Sequence, residues 1–316
     1  MKKIPVVAVV GPTASGKTAL AVAIAKRFNG EVVSADSMQI YKGMDIATAK
    51  PTKEDMQGIA HHLIDYVEPN EKYSVARYTE DAKKAIQDVY GRQKLPVVCG
   101  GTGLYIDSLL GNIRFEEEPD NTAVRQALTE RMQKEGAQVL LDELSAVDPE
   151  AAAQLHVNNT GRIIRALEIY QLTGETATQR RIRSREQPSP YEVLYLAIGF
   201  PDRDFLYERI DLRVELMLKM GLEAEASAFL ARSDADTAAQ TIGYKELKGW
   251  FAGVLSREEA IENLKRETRR YAKRQMTWFR RNQAIHYIDR TRDTTQAQLE
   301  DKAFAWVEHS GILKGV

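Results

Sequence analysis

Residues 4–27 read IPVVAVVGPTASGKTALAVAIAKR, and this stretch decides the fold. Ile4 to Val10 is a run of β-branched residues broken only by Pro5 and Ala8, the pattern of a strand buried on both faces. Thr18 to Arg27 has helical spacing. Between them, Gly11-Pro12-Thr13-Ala14-Ser15-Gly16-Lys17-Thr18 matches G-x-x-x-x-G-K-[ST] in full, in the strand–loop–helix setting that gives the motif its meaning. The backbone N–H groups of such a loop form an anion cradle, reinforced by the positive end of the helix dipole. Lys17 is placed to neutralise phosphate oxygens and Thr18 to hold a magnesium ion. A chance glycine-rich turn is the bland alternative, and it would not come with the correct flanks.

Working outward, Glu31 to Ala35 is a short strand ending at Asp36, Tyr78 to Tyr90 has helical spacing, and Leu95 to Cys99 is a buried strand that runs into Gly100-Gly101-Thr102-Gly103. Strand, loop and helix alternate. This predicts a P-loop NTPase-like α/β fold with an open, mostly parallel sheet flanked by helices. Ligands bind such sheets beyond the carboxyl ends of the strands, where Gly11–Thr18, Ser34–Gln39 and Gly100–Tyr105 fall. From about Ile113 to Pro190 strand-like runs stop and charge-rich helical segments follow: Asn121–Gly136, Gln138–Val147, Glu150–Leu155 and Thr160–Thr173. Gln179–Pro190 reads as a solvated basic connection. Val193–Phe200 returns to strand character, followed by helices over Asp204–Met220, Leu222–Arg232 and Arg257–Arg281 and a short strand near Ile285–Ile288. Beyond Thr291 no signal is readable. The expected organisation is a core domain of residues 1–112 and 193–316, with an all-helical domain, residues 113–192, inserted into it.

The chain has 316 residues, 43% hydrophobic and 28% charged, which excludes wholesale disorder. With 44 basic and 45 acidic residues the net charge is −1, which excludes a polycation but not a local basic face. A lone cysteine, Cys99, permits no internal disulfide and fits a reducing compartment. The opening MKKIPVVAVVG lacks a secretory h-region, and no apolar run approaches the ~20 residues of a membrane span. The expectation is a soluble, cytoplasmic protein that binds no membrane.

An ATPase or GTPase normally carries an apolar strand ending in an acidic magnesium ligand. Leu95–Cys99 ends without a carboxylate. The acid at a strand end is Asp36, within Ser34-Ala35-Asp36-Ser37-Met38-Gln39-Ile40-Tyr41. It is placed to hold magnesium or to take a proton from an acceptor, and a helix N-cap is its structural alternative. The glycines at 100–103 allow close approach of backbone to ligand, and Thr102 offers a hydroxyl. His61-His62 has no partners for a zinc set and reads as structural or substrate-adjacent, while Cys99 reads as a small core residue. On the helix near Ile261–Arg281, Arg266, Arg269, Arg270, Lys273, Arg274, Arg280 and Arg281 share one arc. Leu264, Tyr271, Ala272, Met276, Trp278 and Phe279 share the opposite one. The aromatics then belong to the core; the basic arc is exposed, which by itself is usually only a solvated face, and a polyphosphate backbone is the partner that seven cations best fit. Arg162, Arg165, Arg180, Arg181 and Arg183 form a second basic cluster.

Taken together, the ordered motifs resemble the tRNA dimethylallyltransferase family, also called tRNA isopentenyltransferases, over nearly the whole chain. They are GPTASGKT at Gly11–Thr18, SADSMQIYKGMDIATAKP at Ser34–Pro51, HHLID at His61–Asp65, GGTGLY at Gly100–Tyr105, GRIIRALE at Gly161–Glu168, TIGYKE at Thr241–Glu246 and RRYAKRQMTWFRR at Arg269–Arg281. The lack of cysteines for the zinc finger that eukaryotic relatives often append implies a bacterial type. One departure is Ala47, where the family pattern has glycine.

The resemblance implies transfer of a dimethylallyl group from its diphosphate to the exocyclic N6 amine of the adenosine immediately 3′ of the anticodon, in tRNAs reading codons that begin with U. By the same resemblance, Gly11, Pro12, Thr13, Ala14, Ser15, Gly16, Lys17 and Thr18 hold the diphosphate with Mg2+ on Thr18, helped by Arg209 and Arg213. Asp36 is the general base, and Lys17 and Thr102 complete the catalytic set. Asp36, Ser37, Met38, Gln39 and Thr102 read the flipped adenosine. Gly161, Arg162, Ile163, Ile164, Arg165, Gly243, Tyr244, Lys245, Arg270, Lys273, Arg274 and Arg281 contact the tRNA. The insertion is expected to clasp the anticodon stem-loop, for which a monomer suffices. Two rivals stand beside this reading: a small-molecule P-loop kinase with a helical lid, and a non-catalytic RNA binder with a vestigial nucleotide site.

Overall fold

The computed structural model describes residues 2–116, 121–232, 234 and 240–315. Six strands, β1 (Ile4–Val10), β2 (Gly30–Ser34), β3 (His61–His62), β4 (Leu95–Gly100), β5 (Tyr191–Gly199) and β6 (Ile285–Asp289), form one sheet in the order β3-β2-β4-β1-β5-β6. Every pair is parallel, so the phosphate-loop strand β1 lies between β4 and β5. A central strand should reject proline. Pro5 and Pro96 are tolerated because the β1–β4 ladder begins only at Val7 opposite Val97.

Side chains alternate across the sheet. Val7 and Val9 pack with Leu20 and Ile24 of α1 (Lys17–Arg27). Val6, Ala8 and Val10 pack on the other face with Tyr78 and Ile86 of the helix Val75–Gly91 and with Ile106 and Leu109 of the helix Gly103–Leu110. A one-turn helix, α2 (Lys53–Met56), precedes these two, which are therefore α3 and α4. The inserted segment forms a compact unit of its own, Gly111–Pro188, set apart from the unit Met1–Leu110 plus Ser189–Val316. These limits differ from 113 and 192, the second because Pro190 and Tyr191 already serve the sheet: the Ile4 N–H donates to Pro190 O, and β5 starts at Tyr191.

The described residues of the inserted unit form helices α5 (Thr122–Glu135), α6 (Ala137–Val147), α7 (Pro149–Ala153), α8 (Thr160–Thr173) and α9 (Ala177–Arg183) and no strand. Leu128, Leu140, Leu144, Ile163 and Leu167 make their own core. The buried Glu168 accepts hydrogen bonds from Asn121 Nδ2 at 2.8 Å and Arg125 Nε at 2.7 Å, and it pairs with Arg165. The expected solvated connection from Gln179 is helical as far as Arg183. A capping box between Thr176 and Gln179 starts α9, and the Thr178 N–H is tied to Asp148 Oδ2.

In the larger unit β5 is followed by α10 (Arg203–Lys219), α11 (Leu222–Leu230), α12 (Tyr244–Phe251) and α13 (Arg257–Phe279). Val214, Met217, Leu222, Tyr244 and Leu264 from these four helices close on Ile40, Tyr41 and Met44. This second core forms a wall beyond the carboxyl ends of the strands. After β6, residues with no readable sequence signal form α14 (Gln296–His309), whose Leu299, Ala303 and Val307 join α1 against the sheet.

Candidate active site

The phosphate loop leaves β1 at Gly11 (φ 141°) and enters α1 after Gly16 (φ 96°). No side chain caps α1, so its first N–H groups stand available to an anion. The loop carbonyls are taken up by cations: Lys17 Nζ donates to Pro12 O at 3.3 Å, Arg209 Nε to Ala14 O at 3.0 Å and Arg290 Nη1 to Ser15 O at 3.2 Å. A Cβ on Gly16 would stand 2.7 Å from Arg290 Nη1. Burial lowers the pKa of Lys17, and nearby Arg213 lowers it further while Cys99 and Asp36 work the other way. Burial also lowers Arg209, with Arg290 adding repulsion, and it lowers Arg213 and Arg290. Crowded, partly desolvated cations around one loop describe a site that an anion stabilises. Arg290 escaped the sequence reading. Its signal is its place one residue beyond the last sheet strand.

Asp36 follows β2, and the N–H of Ala35 donates to Cys99 O at 2.8 Å. Its Oδ1 accepts the N–H groups of Met38 at 2.9 Å and Gln39 at 3.3 Å. Capping and chemistry are therefore compatible in this residue. One oxygen holds the turn, and among the described residues the other has no hydrogen-bond partner. Thr102 Oγ1 accepts the Ser37 N–H at 3.1 Å, so Thr102 meets the site through the Asp36 turn. Gln39 Nε2 donates to the carbonyls of Thr48 at 3.1 Å and Ala49 at 3.2 Å. Glu225 accepts the N–H groups of Asp45, Ile46 and Ala47 and the hydroxyl of Tyr244. The methyl of Ala47 lies against Gly243, where an added Cβ would come within 3.3 Å of it.

The glycines at 100, 101 and 103 admit a close approach of protein. A Cβ on Gly100 would collide with Ala35, on Gly101 with the Gln275 amide and on Gly103 with the Trp278 ring. Gln275, 5% exposed, is a bridge: its Oε1 accepts the Thr13 N–H at 2.8 Å and its Nε2 donates to Gly101 O at 3.0 Å. The phosphate loop and the loop that braces Asp36 are thus held together by one side chain of α13.

These parts enclose a cavity of about 300 Å³ lined by Lys17, Thr18, Asp36, Arg213, Thr241 and Tyr271, with Val214, Met217, Leu222 and Leu264 as an apolar wall. Lys17, Thr18 and Arg213 also line a second concavity together with Arg209, Leu212 and Leu216. A group bound at the phosphate loop can therefore be reached from two sides. Burial raises the pKa of Cys99 to about 11, which suits a core thiol and not a nucleophile.

Helix α13 corrects one expectation. Tyr271 is not core; it faces the cavity. The basic arc is not free of acids: Arg269 lies 2.8 Å from Asp211 and from Glu262, and Arg270 lies 2.6 Å from Glu267. Lys273 and Arg281 are exposed, and Arg274 lines the cavity. Among the other residues assigned to RNA, Ile163 and Tyr244 are fully buried, so their side chains shape their surroundings instead of meeting a ligand. Lys245 lies 3.6 Å from Glu246. Gly161, Arg162 and Arg165 line a 450 Å³ concavity within the helical unit, and Ile164 stands half-buried nearby.

Residues 39–282 match the family model described as IPP transferase. The chain is 45% identical over 290 residues to the tRNA dimethylallyltransferase of Bacillus subtilis, covering 92% of each chain. Its fold is similar to that of the tRNA isopentenylpyrophosphate transferase of Bacillus halodurans, with TM-score 0.72 and 41% identity over 99% of this chain and 97% of that one. It is also similar to a eukaryotic dimethylallyltransferase acting on tRNA, with TM-score 0.78 and 29% identity over 98% and 80% of the two chains.

Proposed function

The chain belongs to the tRNA dimethylallyltransferase family, and from that premise we propose how its own residues carry out prenyl transfer to tRNA. The observation that carries the reading is the pairing, in one cavity, of the cation-ringed phosphate loop with Asp36. The loop from Gly11 to Thr18, with Arg209 and Arg213, holds the diphosphate of dimethylallyl diphosphate. The exocyclic N6 amine of the adenosine 3′ of the anticodon, flipped out of its stack, attacks C1 of the dimethylallyl group. The C1–O bond breaks as the N–C bond forms, diphosphate leaves, and Asp36 takes the N6 proton through the oxygen not used in the turn. Lys17, Arg213 and the N-terminus of α1 stabilise the charge that develops on the leaving group.

Thr18 supplies a hard hydroxyl oxygen to the cavity that also holds Asp36, and among the described residues no three His, Cys, Asp or Glu stand together to hold a metal unaided. That combination fits Mg2+, which binds through few protein oxygens, substrate phosphates and water. Bound there, it would add charge stabilisation to the departing diphosphate. Exposed Lys273, Arg281 and Arg162, with Arg274, contact the tRNA backbone. Among the described residues no helix is long and apolar enough to cross a membrane, and clasping one RNA needs no more than a monomer.

The test is transfer of label from dimethylallyl diphosphate to unmodified tRNA. Asp36→Asn keeps the Oδ1 acceptor for Met38 and Gln39, so the turn persists while proton acceptance is lost. Turnover should fall about 10²–10⁴-fold with tRNA affinity retained. Label absent from the anticodon-adjacent adenosine, or full activity in Asp36→Asn, would overturn the reading.

A further inference from the structure

Two adjacent histidines end up with different surroundings. His62 Nε2 lies 2.7 Å from Glu31 Oε2 and belongs to the ion cluster around that carboxylate. His61, paired with Val32 of β2, has its Nδ1 2.9 Å from Ile59 O. A carbonyl can only accept, so Nδ1 carries the ring proton. Burial lowers the pKa of His61 and favours the neutral ring, which leaves Nε2 as an acceptor. That Nε2 is buried and has no partner among the described residues, a state that costs about 1–3 kcal/mol if nothing fills it. His61 lines a cavity of about 20 Å³ with Lys17, Thr18, Ser34, Asp36 and Cys99. This is room for one water.

We infer that His61 is a positioning residue for the metal. Its Nε2 accepts a hydrogen bond from one water in the shell of a magnesium ion held at Thr18. The inference rests on the magnesium reading above. Mg2+ gives up water reluctantly, so a fixed acceptor beside the ion orients its shell without displacing it. Partners of this outer kind govern metal affinity.

His61→Asn keeps an N–H for Ile59 O and deletes the inner acceptor, whereas His61→Gln returns an acceptor near the Nε2 position. Mg2+ binding to the full chain is measured by calorimetry with saturating inorganic pyrophosphate, and pyrophosphate binding is measured again in chelator. The expected result is Mg2+ affinity about tenfold weaker in His61→Asn, largely restored in His61→Gln, with binding in chelator unchanged. Wild-type Mg2+ affinity in His61→Asn overturns the inference, as does an equal loss of pyrophosphate binding with and without Mg2+. Wild-type protein that binds pyrophosphate independently of Mg2+ overturns the metal reading as well, so the two failures are distinguishable. Should His61→Asn not fold, Mn2+ added to wild type with pyrophosphate decides the matter: broadening of the His61 ring signals supports the inference, and unbroadened signals overturn it.

Discussion

At the scale of single residues, the chemistry depends on groups doing two jobs in little space. Asp36 caps its turn with one oxygen, and the proposed proton transfer uses the other. Gln275 spends both ends of one amide on joining Thr13 to Gly101. The bridge explains Gly101: an added methyl has no room unless the Gln275 amide moves. Gly101→Ala should therefore release the phosphate loop from the loop bracing Asp36. A misplacement of about 1 Å at reacting groups can cost about 10²-fold, so kcat should fall by that order while tRNA affinity holds; steady-state kinetics beside a binding assay would show it. Lys17 gives a pH prediction. Its pKa is lowered in the free protein, and a bound anion raises it again, so diphosphate binding takes up a proton where the free lysine has lost its own. Pyrophosphate affinity should weaken as pH rises through that lowered pKa, and calorimetry in buffers of different ionisation enthalpy would detect the proton. These motifs were legible because Gly, Lys, Thr and Asp are unmistakable at a strand end. Arg290 and Gln275 were not, since an arginine after a short strand and a glutamine on a basic helix look like surface.

Among the elements, long periodic segments were readable and very short ones were not. Helix α8 occupies Thr160–Thr173, the span its periodicity predicts. β3 has two residues and no period at all; it exists because β2 offers it an edge. Helix α13 was misread at one face because a two-sided wheel has no place for a third environment. Core, solvent and a ligand cavity all meet that helix, and Tyr271 belongs to the last. β2 carries a liability of its own in Glu31, whose side chain is only 4% exposed and meets Arg92 at 2.6 Å, Lys94 at 2.8 Å and His62 at 2.7 Å. The Arg92 hydrogen bonds, followed by those of Lys94 and His62, outweigh burial and hold the carboxyl well below the ordinary range. A depressed carboxylate stabilises the fold above its unfolded pKa, and the contribution drains away as pH falls through that value towards the folded one. Glu31→Gln should cost about 2 kcal/mol at neutral pH, because it leaves a buried amide with groups that cannot all be satisfied facing three donors. The penalty should shrink below about pH 4. Urea melts of both proteins from pH 7 to pH 3 would reveal the convergence, and a penalty independent of pH would rule out the ionic origin.

Across the whole molecule, a net charge of −1 conceals where the positive charge sits. The inserted helical unit was visible in the sequence as a change of period from 2 to 3.6. Its second limit was displaced because Pro190 and Tyr191 already carry backbone bonds of the sheet while their side chains look like linker. Each unit brings exposed cations: Lys273 and Arg281 in one, Arg162 in the other. The ion pairs of Arg269 and Arg270 remove those two from the free supply. If both units hold one tRNA, the losses from Lys273→Glu with Arg281→Glu and from Arg162→Glu should add in free energy, as contacts without shared partners do. Each should also flatten the dependence of log affinity on log salt, by about 0.7–0.9 for every phosphate contact removed. Binding titrations at several salt concentrations separate this from a folding defect, which would lower affinity without changing the slope. Turnover at saturating tRNA should stay near wild type, because none of the three residues lines the cavity that holds Asp36. An unchanged salt slope in the Arg162→Glu chain would remove the helical unit from the RNA-binding surface and leave recognition to α13 and the loops around the cavity.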